Sequence, residues 1–188
     1  MSEQIEGKRS AKASEWPLAV TYGIPLGVFW LALFLFAVSQ NMYERPIWIQ
    51  LIDWGGSFAI VYLCIREYRK RFSLPSDMKY GSAVRVGFFQ SLIAAVLYAV
   101  GMWILISYVY VDYLQNVLEE AYSTTIGMLG DSDMADTQYA VMEKILTPWF
   151  MGLSAFINGV LSGLIYALIA AAVLRRKPKT DSPFQDVD

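Results

Sequence analysis

Asp53 is the one carboxylate set well inside an apolar run of this chain, in the stretch Ile47-Trp-Ile-Gln-Leu-Ile-Asp53-Trp-Gly-Gly56. Gln50, Asp53, Ser57 and Cys64 recur at helical spacing, so a helix places them along one face with Gly56 adjacent. Asp53 then lies about 9 Å in from the first residue of the run, at a rise of about 1.5 Å per residue. A carboxylate at such depth in a bilayer costs about 2.5–3.5 kcal/mol on insertion scales, which makes a functional role its default reading. A second apolar run carries Ser154, Asn158, Ser162 and Tyr166 on one stripe, and Asn158 reaches a comparable depth. Hydrogen bonding between Asp53 and Asn158 or Ser154 would complete an intramembrane polar cluster of Asp53, Gln50, Ser57, Asn158 and Ser154. No Lys or Arg stands at that depth to form an ion pair. Three roles compete for Asp53: a polar staple, a proton or cation site, and a partner-binding site.

Other chemistry is poorly supplied. The chain has no histidine and a single cysteine, Cys64, which lies in an apolar run where a thiol acts as a small hydrophobe. Histidine-based acid–base catalysis and Cys/His zinc sites therefore lose their main residues, and one cysteine excludes a disulfide within the chain. Asp131, Asp133 and Asp136 have a spacing like that of a calcium loop, but the glycine at the sixth position and the glutamate at the twelfth are missing. No paired acids, nucleophile–base pair or metal site falls within the apolar runs. The expectation is therefore no catalytic residue, no metal, no cofactor and no enzyme.

Positioning the cluster falls to four apolar runs, each long enough for the roughly 20 residues that cross a hydrocarbon core. They cover about 17–38, 47–65, 86–111 and 148–174, and backbone satisfaction in lipid makes each a helix. The first run exceeds the 7–15 residues or so of a signal-peptide core, so it is read as a retained span. Hydrophobic residues make up 56% of the 188 and charged residues 17%, and the charges are segregated. Of 15 Lys and Arg, 13 fall in Lys8–Lys12, Arg66–Arg85 and Arg175–Lys179. The segment Asp112–Lys144 carries seven carboxylates against one lysine. Basic short loops stay cytoplasmic, so both termini and the Arg66–Arg85 loop are expected inside and the acidic segment outside. These short basic clusters read as topology signals with no nucleic-acid partner.

The acidic segment keeps a helical pattern of its own. Leu114, Val117, Leu118, Ala121 and Tyr122 share one side, and the third span is expected to continue straight out of the membrane through them. Gly127–Asp133 marks a break, Asp131 or Ser132 can cap a second helix, and Met134, Tyr139, Met142, Ile145 and Leu146 form its apolar side. Pro148 then suits the first turn of the fourth span. Residues 112–147 thus form an extracytoplasmic helical hairpin, residues 1–16 a cytoplasmic tail, residues 17–178 the membrane domain, and residues 179–188 a disordered cytoplasmic tail.

Small residues recur along the spans: Gly23 and Gly27 in the first, Gly87, Ser91 and Ala95 in the third, and Ala155, Gly159, Gly163 and Ala167 in the fourth. Such stripes let helix backbones approach closely. For the third and fourth spans packing within the chain is favoured over a seam to a partner. Pro25 suggests a kink in the first span. Arg66, Arg69, Lys70, Arg71, Arg175, Arg176 and Lys177 are placed to meet lipid headgroups.

The basic patch Arg66-Glu-Tyr-Arg-Lys-Arg71, the span opening near Gly87, the acidic helical segment, the Leu146-Thr-Pro148 start of the last span and its end at Ala172-Val-Leu-Arg-Arg-Lys-Pro178 together resemble a known family. It is the family of bacterial four-helix membrane proteins catalogued as domain of unknown function 4199. The resemblance covers roughly Pro17–Pro178 and implies an inner-membrane location. It carries over no activity and no functional residues. The expected fold is an all-α integral membrane four-helix bundle with an extracytoplasmic helical hairpin between spans three and four. The leading expectation for function is a non-enzymatic accessory or scaffold subunit that associates through small-residue faces with a second copy or another membrane protein. The alternative is a small ion or proton conduit using Asp53.

Overall fold

The computed structural model describes residues 15–43, 46–71, 78–129 and 132–174. Among these it is all-helical, with six α-helices: α1 (Glu15–Ser39), α2 (Ile47–Lys70), α3 (Tyr80–Ile104), α4 (Tyr113–Leu129), α5 (Ser132–Ile145) and α6 (Pro148–Leu174). Four segments are long and apolar enough to cross a membrane: Trp16–Ser39, Ile47–Lys70, Tyr80–Val109 and Pro148–Leu174. Their outward faces carry large exposed apolar side chains such as Ile52, Val96, Leu161 and Ile165. An apolar skin of this extent suits lipid and not water.

Short-range signals set the helix ends. Asn41 takes φ 53° after α1. Its N–H bonds to Val38 O at 3.0 Å, and Met42 N–H reaches back to Ala37 O at 2.9 Å. This is the Schellman closure, with asparagine in the left-handed position usually given to glycine. Pro46 precedes α2 in extended conformation (φ -62°, ψ 153°), and Pro148 opens α6. Thr147 Oγ1 accepts the Phe150 N–H at 3.2 Å, so the residue that leads into Pro148 is also a helix cap.

Contact pairs fix the relative directions of the long helices. Phe29 meets Gly56 and Phe36 stacks edge-on with Trp48, so α1 and α2 are antiparallel. Gly23 abuts Gln90, Gly27 abuts Ala94, and Trp30 meets Tyr98 with ring centroids 5.7 Å apart, so α1 and α3 are parallel. Gly87 meets Ala167, Ser91 meets Gly163 and Ala95 meets Gly159, so α3 and α6 are antiparallel. The most extensive contacts are α3 with α6 and α1 with α3. Ser39, Ile47, Val109 and Pro148 consequently share one end of the molecule, and Glu15, Lys70, Tyr80 and Leu174 share the other.

Two boundaries differ from the sequence expectation. The third spanning helix begins at Tyr80, not near 86, because its buried stripe of Ala83, Val86 and Gly87 extends past the outward Arg85. Tyr80 also donates its hydroxyl to Leu168 O at 3.2 Å, which ties this first turn to α6. At the other end the helix does not run straight into the acidic segment. A π-helical stretch, Leu105–Val109, closes on Tyr110 N–H bonded to Leu105 O at 2.7 Å, and Tyr110 leaves helical geometry (φ -116°, ψ 61°). A turn at Val111–Asp112 follows before α4 starts. The apolar side of Tyr113 and Leu118 is thereby turned back onto the bundle end, where Tyr113 meets Phe34 at 5.4 Å.

Helices α4 and α5 pack on one another, with Tyr122 and Tyr139 edge-to-face at 5.6 Å. Tyr122 donates its hydroxyl to Asp136 Oδ1 at 2.8 Å. Asn116 Nδ2 donates to Tyr43 Oη at 2.7 Å, linking the hairpin to the α1–α2 turn. Helix α1 runs unbroken through Pro25. The basic segments Lys8–Lys12 and Arg175–Lys179, the capping residue Asp131 and the tail 179–188 lie outside the described residues, as do the side chains of Asp133 and Met134.

Candidate functional site

Asp53 and Ser57 lie one turn apart on α2, and Ser57 is buried against α1. Trp30 Nε1 donates to Ser57 Oγ at 2.8 Å, and Ser57 Oγ donates to Asp53 Oδ1 at 3.1 Å. An indole N–H only donates, so Ser57 accepts it and has its single hydrogen left for Asp53. One carboxylate oxygen is therefore held as an acceptor by a rigid aromatic anchor on another helix. Gly159 makes the anchor fit, since a methyl group there would sit 3.1 Å from Trp30 Cζ3.

Around this chain is a cavity of about 290 Å³ between α2 and α6, floored by α1 and α3. Asp53, Ser57, Ser154, Asn158, Ser162 and Tyr166 supply its polar lining, and Trp30, Trp54 and Tyr98 add ring surface. Exposed Trp54, Ser154 and Asn158 mark its mouth. Ser162 donates its hydroxyl back to Asn158 O at 2.8 Å, so its oxygen lone pairs remain available to the cavity. Toward the Lys70 end the cavity stops. The face of α2 continues as Val61, Cys64, Ile65 and Tyr68, all buried in one apolar cluster with Val86, Ala167, Ala170 and Ala171.

Of the cluster expected from sequence, Asp53, Ser57, Ser154 and Asn158 line this cavity together. Gln50 lies nearer the start of α2, half-buried, and does not line it. Tyr166, on the polar stripe with Ser154, Asn158 and Ser162, also lines it, whereas sequence reasoning missed Trp30 and Tyr98. A usable signal existed, because a Trp or Tyr in mid-span departs from the interfacial belt and its N–H or O–H calls for a polar partner. It also missed Gln90, fully buried in α3, whose Nε2 meets Tyr22 O at 3.5 Å and whose Oε1 has no hydrogen-bond partner among the described residues.

The small-residue stripes face one another inside the chain. A methyl at Gly87 would lie 2.6 Å from Ala167 Cβ, one at Gly163 would lie 2.2 Å from Ser91 Oγ, and one at Gly159 would lie 3.1 Å from Ala95 Cβ. Gly23 and Gly27 press on α3 at Gln90 O (2.8 Å) and Ala94 O (3.0 Å). Ala155 faces the cavity. At the Lys70 end Arg66, Lys70 and Arg71 are exposed and Arg69 is half-buried, with Lys70 paired to Glu67. Arg175, Arg176 and Lys177 lie outside the described residues.

Fold and site thus define an all-helical membrane protein with four spanning-length helices and a polar pocket sunk between two of them. A family described as a protein of unknown function (DUF4199) matches residues 21–176, and the chain belongs to that family. No curated protein and no solved structure matches the chain.

Proposed function

We propose that this is a non-enzymatic accessory protein of the bacterial inner membrane, a binding scaffold and not a conduit. Both termini and the Arg66–Arg85 segment lie in the cytoplasm, and α4 and α5 form an extracytoplasmic hairpin. The charge distribution supports that orientation: Arg66, Arg69, Lys70, Arg71, Lys79 and Arg85 gather at one end, and Asp112, Glu119, Glu120, Asp136 and Glu143 belong to the other. The small-residue faces hold the four long helices to one another. Partner contact therefore falls to the outer hairpin and to the face between α2 and α6.

The observation that carries this reading is the closed floor of the Asp53 cavity. A conduit needs polar or hydrated lining from one side to the other, and transporters show broken helices at their sites. Below Ser57 the packed layer of Val61, Cys64, Ile65, Ala167 and Ala171 offers neither. Reconstituted into proteoliposomes, the protein is expected to carry no proton or potassium flux above empty vesicles. A flux that the Asp53→Asn variant abolishes would overturn the reading and establish the conduit alternative.

A further inference from the structure

We propose that a second cavity, at the hairpin end of α1 and α3, binds a primary ammonium group, with the Asp112 carboxylate as counter-charge and backbone and amide oxygens as acceptors. This cavity measures about 350 Å³ and lies where the last residues of α1 and of the π-helical stretch meet the start of α4. Ser39, Asn41, Tyr43, Tyr110, Asp112 and Asn116 supply its polar lining. The sign comes from the backbone first. Helices α1 and α3 run parallel, so both chains of carbonyls end here, each end equivalent to about half a negative charge. Neither α1 nor the π-helical stretch has a basic residue in its last turn, the usual compensation at such an end. Tyr110 N–H returns to Leu105 O and the chain then leaves helical geometry, so the last carbonyls of the stretch receive no helical N–H. Asp112 adds a carboxylate and is the only charged side chain lining the cavity.

The oxygen set then selects the kind of cation. Calcium takes about 6–8 oxygen ligands, and its affinity grows with the charge they carry. Here one carboxylate is present, and among the described residues no three His, Cys, Asp or Glu side chains converge. A primary ammonium asks for less: one counter-charge and acceptors for its three N–H groups. Asn116 Nδ2 donates to Tyr43 Oη at 2.7 Å, and Tyr43 donates to Asn41 Oδ1 at 3.3 Å. This chain ties α4 to the end of α1 and holds Asn41 Oδ1 as an acceptor with a second lone pair to offer. Ser39 donates its one hydrogen to Phe36 O at 2.8 Å, which leaves its oxygen to accept. The rings of Tyr43, Tyr110 and Tyr113 add π faces that attract a cation and cover its carbon substituent.

The spanning-length segments end at Ser39 and Val109. Both ends line this cavity, so it sits where hydrocarbon gives way to lipid headgroups. The ammonium of an ethanolamine headgroup and a soluble primary amine present the same chemistry at that level. A lone phosphate finds no counter-charge, since no Lys or Arg lines the cavity. This inference goes beyond the scaffold reading and does not rest on it. Flux in the proteoliposome assay would remove that reading without touching ammonium binding here, and failure of ammonium binding would leave it standing.

The test uses the full chain in nanodiscs of phosphatidylglycerol, which lacks an amine. Ethylammonium is titrated calorimetrically against potassium, calcium and neutral ethanol. In a second arm, native mass spectrometry compares retention of phosphatidylethanolamine and phosphatidylglycerol from detergent. Asp112→Asn removes the counter-charge. Asn41→Gly removes an acceptor and keeps a backbone at φ 53° that glycine adopts freely. Glu143→Gln removes a carboxylate of α5 that does not line the cavity and serves as the control. Saturable ethylammonium binding, weakened at least tenfold in Asp112→Asn and unchanged in Glu143→Gln, identifies a soluble amine. Retention of the ethanolamine lipid over the glycerol lipid, lost in Asp112→Asn and kept in Glu143→Gln, identifies the headgroup. Should Asp112→Asn fail to fold, Asn41→Gly carries the comparison, with weakened binding expected. Overturning results are no ammonium preference in either arm, equal or tighter binding of potassium, calcium or ethanol, equal effects of Asp112→Asn and Glu143→Gln, or binding unchanged in the folded cavity variants.

Discussion

At the scale of single residues, the site is a chain of three side chains whose order follows from donor and acceptor chemistry. Trp30 anchors Ser57 and Ser57 orients Asp53. Ser57→Ala leaves the buried Trp30 N–H without its acceptor, so a loss of about 1–3 kcal/mol is expected. A lower melting temperature in detergent reports it, and an unchanged one contradicts the anchoring role. Gln90 gives the opposite case. Its buried Oε1 has no hydrogen-bond partner among the described residues, so Gln90→Met is expected to raise the melting temperature. Asp53, Ser57, Ser154 and Asn158 were legible in the sequence because helical spacing puts each pair on one face, and depth can be counted from the ends of the runs. Trp30 was not, because nothing in the period of α1 says which helix its N–H meets. Gln50 shares the periodicity of Asp53 yet stays out of the cavity. A shared face fixes direction around the helix and leaves undecided how far along it a neighbouring helix closes in.

At the scale of elements, the seam between α3 and α6 holds the floor of the cavity together. Gly163→Ala drives a methyl against Ser91, whose Cβ would be 2.3 Å away and cannot swing aside. The helices must part, with an expected loss of about 1–3 kcal/mol. Gly55→Ala is the control. Nothing lies within 4 Å of its position, so the change is expected to be neutral or stabilising by up to about 1 kcal/mol. Equal melting temperatures for the two variants would contradict the seam. The stripes themselves were plain in the sequence, and their antiparallel register emerges only once both helices are in place. The bend between α3 and α4 was illegible, because the apolar period runs through Leu105–Leu118 without a Gly or Pro to mark it. What interrupts the helix is the packing of Tyr113 and Leu118 back onto the bundle end.

The hairpin has its own titrating link. The hydrogen bond to Asp136 is the main cause that raises the Tyr122 phenol above its ordinary value of 10.0. A raised folded-state value means that the link is fully present below that ordinary value and is lost as pH rises through the raised one. Tyr122→Phe removes it at every pH. Faster amide exchange in α5 is expected for that variant at neutral pH, and unaltered exchange would show that the tyrosine pair alone holds the two helices.

At the scale of the whole molecule, segregated charge and an apolar skin accompany four helices long and apolar enough to cross a membrane. The number of spanning-length helices was legible because hydrocarbon thickness sets a run length that few other constraints imitate. Which helices touch was not, because these helices are apolar on most sides and periodicity alone does not point to a neighbour. The central claim is that the polar cavity ends at Ser57 and does not continue through the protein. Cys64, the only cysteine, lies fully buried two turns below Ser57 on the same face of α2. Labelling it in sealed native membranes with a water-soluble, membrane-impermeant thiol reagent, applied from each side in turn, tests that claim without altering the chain. An added Asn158→Cys variant at the cavity mouth serves as the positive control. The expected result is an unreactive Cys64 from both sides and a Cys at 158 that reacts from the hairpin side. Reaction of Cys64 from either side in the folded protein would reveal a water-filled path through the floor and contradict the account.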